Sequence, residues 1–191
     1  MSTEKENYHG IDVTYKKLLG VSSNLYLSDT VHLKPLMQHN IDMRVRKALK
    51  VLGASSDDDI PKFIIVSDTE MSKGALAAFL PFKNEVLLRK SIGDRKKEMV
   101  ELQKDGICAD SEISAIVHEL IHWQDAQKWI KRNGDLPPDY ISKLRKECKK
   151  KLDKIPTNAY LKDSTYAIHC AVREQWDEVY TEYRVSQILK R

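Results

Sequence analysis

Ile113-Ser114-Ala115-Ile116-Val117-His118-Glu119-Leu120-Ile121-His122-Trp123 is the stretch on which the reading of this chain turns. From Ser111 to Ile130 the apolar residues Ile113, Ile116, Val117, Leu120, Ile121, Trp123 and Ile130 cover most of a helical circumference, so a largely buried helix is expected, with Asp110 or Ser111 capping its start. Two histidines four residues apart stack on one side of such a helix, one turn from each other. Glu119 stands next to the first of them. A buried imidazole or carboxylate without a partner costs several kcal/mol. A metal ion would give each ring nitrogen a partner, and the carboxylate beside them could reach a water on that ion instead of the ion itself. His-Glu-x-x-His on a helix is the pattern of two zinc ligands, His118 and His122, with Glu119 as general base.

Around this helix the sequence reads as a compact α+β domain spanning 1–191, a length that fits one domain. Leu36 to Leu52 carries Met37, Ile41, Val45, Ala48 and Leu52 at three- and four-residue spacing and ends at Gly53, as a helix does. Phe63 to Val66 is a short buried strand closed by Ser67 and Asp68. Ala77 to Leu88 is strand material interrupted by Pro81, which predicts an edge strand. A polar turn, Asn133 to Pro138, leads to a basic amphipathic helix over Lys143 to Lys154, whose lysines are read as a solvated face. A final helix from about Ala171 to Leu189 would put Val172, Trp176, Val179 and Tyr183 on one face.

Composition narrows the function classes. With 41% hydrophobic and 31% charged residues, neither wholesale disorder nor a membrane protein is expected. No apolar run approaches the roughly 20 residues of a spanning helix. Met1 to Gly10 lacks the apolar core of a secretory signal, so a cytoplasmic location is expected. Cys108, Cys148 and Cys170 are odd in number and widely spaced, which fits reduced thiols; Cys108 is also weighed as a thiolate cap on the metal in a latent form. The net charge of +4 is too small a surplus to imply nucleic acid without a concentrated patch, and the lysine run is the one place where such a partner would bind.

A catalytic zinc takes three protein ligands and keeps a fourth position open. Lys128, six residues after His122, rules out a third histidine at metzincin spacing and directs the search to a downstream carboxylate. Glu174, Glu178 and Glu182 recur every four residues on one stripe of the last helix and are all candidates. Tyr166, His169 and Tyr180 are candidate oxyanion donors, Tyr166 and His169 first.

Here the sequence resembles the gluzincin metallopeptidases, in which a second helix brings a Glu-x-x-x-Asp/Glu pair to an HExxH helix. Within that group it is similar to anthrax lethal-factor-like peptidases and related phage and bacterial proteins. The likeness rests on His122-Trp123-Gln124-Asp125 and on Glu178-Val179-Tyr180-Thr181-Glu182. It departs at Ile121, where the group often has glycine, so close packing across that point must differ. The resemblance implies a zincin-like fold, with an edge strand over the metal helix that pairs with an extended substrate. It further implies Glu178 as third ligand, Glu182 as its support and Asp125 as hydrogen-bond partner of a ligand histidine. The expected function is zinc-dependent hydrolysis of a polypeptide substrate. Two alternatives are carried with it, a nucleic-acid-associated zinc peptidase and a non-catalytic zinc-binding accessory protein.

Overall fold

The computed structural model describes residues 14–18, 23–54, 58–71, 75–94, 113–161 and 164–189. Five strands form a mixed sheet: β1 (Tyr15–Lys17), β2 (Leu25–Ser28), β3 (Lys62–Val66), β4 (Ala77–Leu80) and β5 (Glu85–Arg89). Their order is β1-β2-β3-β5-β4, with β2, β3 and β5 parallel and the two outer strands antiparallel to their neighbours. Six α-helices accompany the sheet among the described residues: α1 (Pro35–Val51), α2 (Ser114–Asn133), α3 (Tyr140–Leu152), α4 (Thr157–Leu161), α5 (Thr165–Val172) and α6 (Trp176–Ile188).

Strand side chains alternate between faces. Leu25, Leu27, Phe63, Ile65, Phe79, Val86 and Leu88 turn to one side, where they join α1, α2, α3 and α6 in the main core. Ile64, Val66, Ala78 and Leu87 turn to the other and pack with Met71. The inner strands are thus buried on both faces, which is why β3 reads as an unbroken apolar run.

Strand β4 is the sheet edge that the sequence leads one to expect, but Ala77 to Leu88 is not one strand. Pro81 lies in the turn between β4 and β5, which closes through Asn84 at φ 51°, and β5 is an interior strand. A proline costs the ladder nothing there, because the turn has no ladder bond for it to remove.

Helix α2 starts at Ser114 after Ile113, without a side-chain cap, and ends where Gly134 adopts φ 94° and donates to the Ile130 carbonyl at 2.7 Å. The expected caps Asp110 and Ser111, and Cys108, lie outside the described residues. Cys148 and Cys170 are free, buried thiols, each pushed up to about 12 chiefly by burial, which keeps them protonated and unreactive.

The expected final helix is two helices. Helix α5 ends in a Schellman turn: Gln175 donates to the Cys170 carbonyl at 2.9 Å and Glu174 to Ala171 at 3.0 Å, with Glu174 in the left-handed region at φ 57°. Helix α6 then begins afresh at Trp176. Val172 is consequently 78% exposed rather than buried, and Glu174 leaves the acidic stripe for solvent. Among the described residues no helix is long and apolar enough to cross a membrane.

Candidate metal centre

His118 and His122 project from α2 toward α6, which carries Glu178 and Glu182 one turn apart. The His118 Nε2 lies 2.8 Å from Glu178 Oε2, the His122 Nε2 lies 3.2 Å from Glu178 Oε1, and the two Nε2 atoms are 3.2 Å apart. One donor atom from each of the three residues falls within 4.8 Å of the others, so the group could hold a metal ion. Donors around a tetrahedral ion at 2.0–2.2 Å stand roughly 3.3–3.6 Å from each other, so the observed triangle needs only a small expansion to accept one. Two imidazole nitrogens and one carboxylate oxygen are, as a donor set, suited to zinc.

Glu182 approaches the other side of the first imidazole, its Oε2 3.1 Å from His118 Nδ1. A proton held on Nδ1 by that carboxylate would leave the Nε2 lone pair to a metal ion once the Nε2 proton shared with Glu178 is displaced. Glu182 is itself buried, as this role requires.

Charge binds the cluster together. Burial pushes the His118 imidazolium down, but hydrogen bonds to Glu178 and Glu182 and the charges of Glu178 and Glu119 outweigh it and hold its pKa well above the usual value. At His122 burial is likewise overcome by the charge and hydrogen bond of Glu178, and the pKa is raised. Burial alone would raise Glu178, yet the His122 charge and hydrogen bonds from both rings hold it well below the ordinary carboxylate range. Glu119 is pushed up, by burial first and then by Glu178, against the two imidazoles and a hydrogen bond from the Phe79 backbone.

That last bond joins the centre to the sheet: the main-chain N–H of Phe79 in edge strand β4 donates to Glu119 Oε2 at 2.8 Å. The Tyr166 hydroxyl on α5 donates to Glu178 Oε2 at 2.9 Å, and its ring meets His118 edge-on at 6.1 Å. A partly open cleft of about 340 Å³, mouth included, runs beside Glu119, His122 and Glu178. Its walls are Phe79 and Pro81 on one side and Tyr140, Ile141 and Leu144 of α3 on the other.

The sequence-derived candidates thus separate. His118, Glu119, His122, Glu178, Glu182 and Tyr166 converge, whereas His169 is exposed on α5 away from them and Tyr180 stacks on Tyr183 beneath Arg184. Asp125 does not reach a histidine. Its two oxygens accept from the Arg184 guanidinium at 2.9 and 2.5 Å, which, against the burial that would raise it, holds its pKa low.

Sequence reasoning missed two contributors. The Phe79 N–H is invisible to any argument from residue types, because the group that acts is main chain. Asp177, buried in the cleft wall beside Glu178, is paired with Arg145 at 2.9 Å, so one member of the basic run turns inward. Lys149 and Lys151 of the same run lie over the rings of Trp176 and Tyr180. The chain matches no protein-family model, no curated protein and no solved structure.

Proposed function

We propose that the protein is a zinc-dependent peptidase and that His118, His122 and Glu178 hold the metal. The observation that carries this reading is the meeting of two ring nitrogens and a carboxylate from separate helices at one point, with a second carboxylate, Glu119, alongside. Zinc bound there would polarise a scissile carbonyl and lower the pKa of water toward about 7.

The chain's own groups supply the remaining chemistry. Glu119, buried beside both ligand histidines with one oxygen held by the Phe79 N–H, takes a proton from the attacking water and returns it to the leaving amine. Tyr166, its hydroxyl already at the site, donates to the carbonyl oxygen as negative charge develops. Strand β4 lies over the α2 helix at Glu119, and its free edge offers an extended polypeptide main-chain pairing. The cleft between β4 and α3 receives a neighbouring side chain.

The test is metal analysis of the purified protein, joined to hydrolysis of an unfolded polypeptide mixture with and without a chelator. The expected result is one zinc per chain, lost in His118→Ala and Glu178→Ala but retained in Glu182→Ala, with hydrolysis abolished by the chelator. Full zinc occupancy without hydrolysis would leave a non-catalytic metal site instead.

A further inference from the structure

On the peptidase reading edge strand β4 binds the substrate and Glu119 reacts with it. In this molecule they are tied together. In an antiparallel ladder, successive residues alternate between pointing their N–H and C=O at the partner strand and pointing them away. Arg89 N–H donates to the Leu76 carbonyl at 2.8 Å, and the register pairs Ala77 with Leu88 and Phe79 with Val86. Leu76, Ala78 and Leu80 therefore face β5, while Ala77 and Phe79 turn their main-chain groups off the free edge. The outward N–H of Phe79 is the group that Glu119 accepts.

We propose that the main-chain N–H of Phe79 is a positioning group for Glu119: it fixes Oε2 on the strand, so that Oε1 is the oxygen presented to the reacting water. A glutamate side chain has three rotatable torsions, and beside two histidines and Glu178 it has more than one place to point. One hydrogen bond from a rigid strand removes most of that freedom, and the Phe79 ring, 5% exposed in the main core, holds the donor still. The same bond sets what the edge can offer a substrate. At Ala77 both outward groups can pair with an incoming strand, but at Phe79 the N–H is committed, so the ladder loses a bond at the level of the base. The substrate backbone is released from the sheet there, beside the metal ligands. This inference rests on the peptidase reading for its catalytic consequence and on geometry alone for the tether.

Two measurements on the full-length zinc-loaded protein test it. Amide exchange followed by NMR should show the Phe79 N–H protected although no strand among the described residues pairs with it. In Glu119→Ala its exchange should accelerate at least about tenfold while Ala78 and Leu80 stay unchanged. An unprotected Phe79 N–H, or one indifferent to Glu119→Ala, overturns the tether whether or not the protein hydrolyses anything. Replacing residue 79 by phenyllactic acid then removes the N–H and keeps the ring. We expect kcat to fall about 10–100-fold, with KM within about twofold and zinc content unchanged. The same ester in Glu119→Ala should cost nothing further, which a general loosening of β4 would not reproduce. An ester variant with wild-type kcat overturns the positioning role while leaving the peptidase reading intact. Wild-type protein that hydrolyses no peptide sinks the peptidase reading, and the exchange result alone then decides the tether.

Discussion

Helices α2 and α6 are joined by two buried polar clusters one turn apart along α2, and the two balance their charge in different ways. At Asp125 and Arg184 a carboxylate meets a planar guanidinium through both oxygens, a pair balanced in charge. At His118 and His122 two imidazoles face three carboxylates, Glu119, Glu178 and Glu182, and balance comes only with protons or a cation. Both clusters occupy the same interface, and both hide charge from water. Arginine never gives up its proton in a protein, so its cluster can only hold helices together. Histidine does, so its cluster can exchange protons for a metal. The difference separates a fastening from a candidate site.

The comparison breaks most visibly in activity. Glu119→Gln keeps the shape of the side chain and should keep zinc, while hydrolysis falls about 10²–10⁴-fold, the usual worth of a general base. Steady-state kinetics beside metal analysis checks it. Undiminished turnover would place the base elsewhere.

The next effect belongs to the other cluster and to stability. Asp125→Ala takes its carboxylate away from Arg184, whose side chain is only 19% exposed. Removing one partner of a buried pair costs about 3–5 kcal/mol, read by chemical denaturation, and zinc stoichiometry should not change. Replacing both residues by apolar ones of similar volume, Asp125→Leu with Arg184→Met, should recover most of that loss. No apolar replacement should rescue metal binding in the histidine cluster.

Much of this architecture is legible in the sequence, for reasons that can be named. Helix α1, strand β3 and helix α2 are long or strongly patterned, and their apolar periodicity survives in the structure within a few residues. The histidine pair is legible because its spacing is a property of one helix. The break before α6 is not, since Glu174 takes a left-handed conformation that usually marks glycine or asparagine, and nothing in its own chemistry announces it. Strands β1 and β2 are three and four residues long and mix Lys, Tyr and Ser with Leu, too short for an alternating pattern to stand out. The resemblance implies a ligand histidine as the partner of Asp125, and the structure gives Arg184 instead, because a motif on α2 says nothing of what α6 places opposite. Among the oxyanion candidates, Tyr166 and His169 sit three residues apart on α5, and only tertiary packing decides that the first faces the centre and the second faces solvent.

A smaller effect sharpens the boundary between the clusters. Glu182→Gln retains an acceptor for the His118 Nδ1 proton but loses the charge that makes the imidazole a better donor to metal. Zinc should still bind, with affinity lowered about 10–100-fold, as is usual when a carboxylate behind a ligand histidine is changed. Competition with a chromophoric chelator measures it. A complete loss of binding would make Glu182 a ligand in its own right.

The mildest perturbation is pH, and it acts on only one of the two clusters. His118 and His122 have raised pKa values in the metal-free fold, so the stability they contribute is fully present below about 6.5 and is lost as pH climbs through those raised values. Glu178, held below 4.5, contributes stability that is present above that value and is lost as pH falls through its lowered pKa. Metal-free protein should therefore become less stable as pH rises from about 6.5, whereas zinc affinity should rise over the same range by up to about tenfold per pH unit for each proton displaced. The Asp125–Arg184 pair, with its depressed carboxylate and its arginine, stays charged throughout that range and should contribute nothing to either slope. Calorimetric titration of zinc in two buffers of different ionisation enthalpy reads the released protons directly. Zinc binding that releases none between about pH 6 and 8 would mean that the imidazoles are already neutral and that the carboxylates around them do not hold the protons a metal would replace.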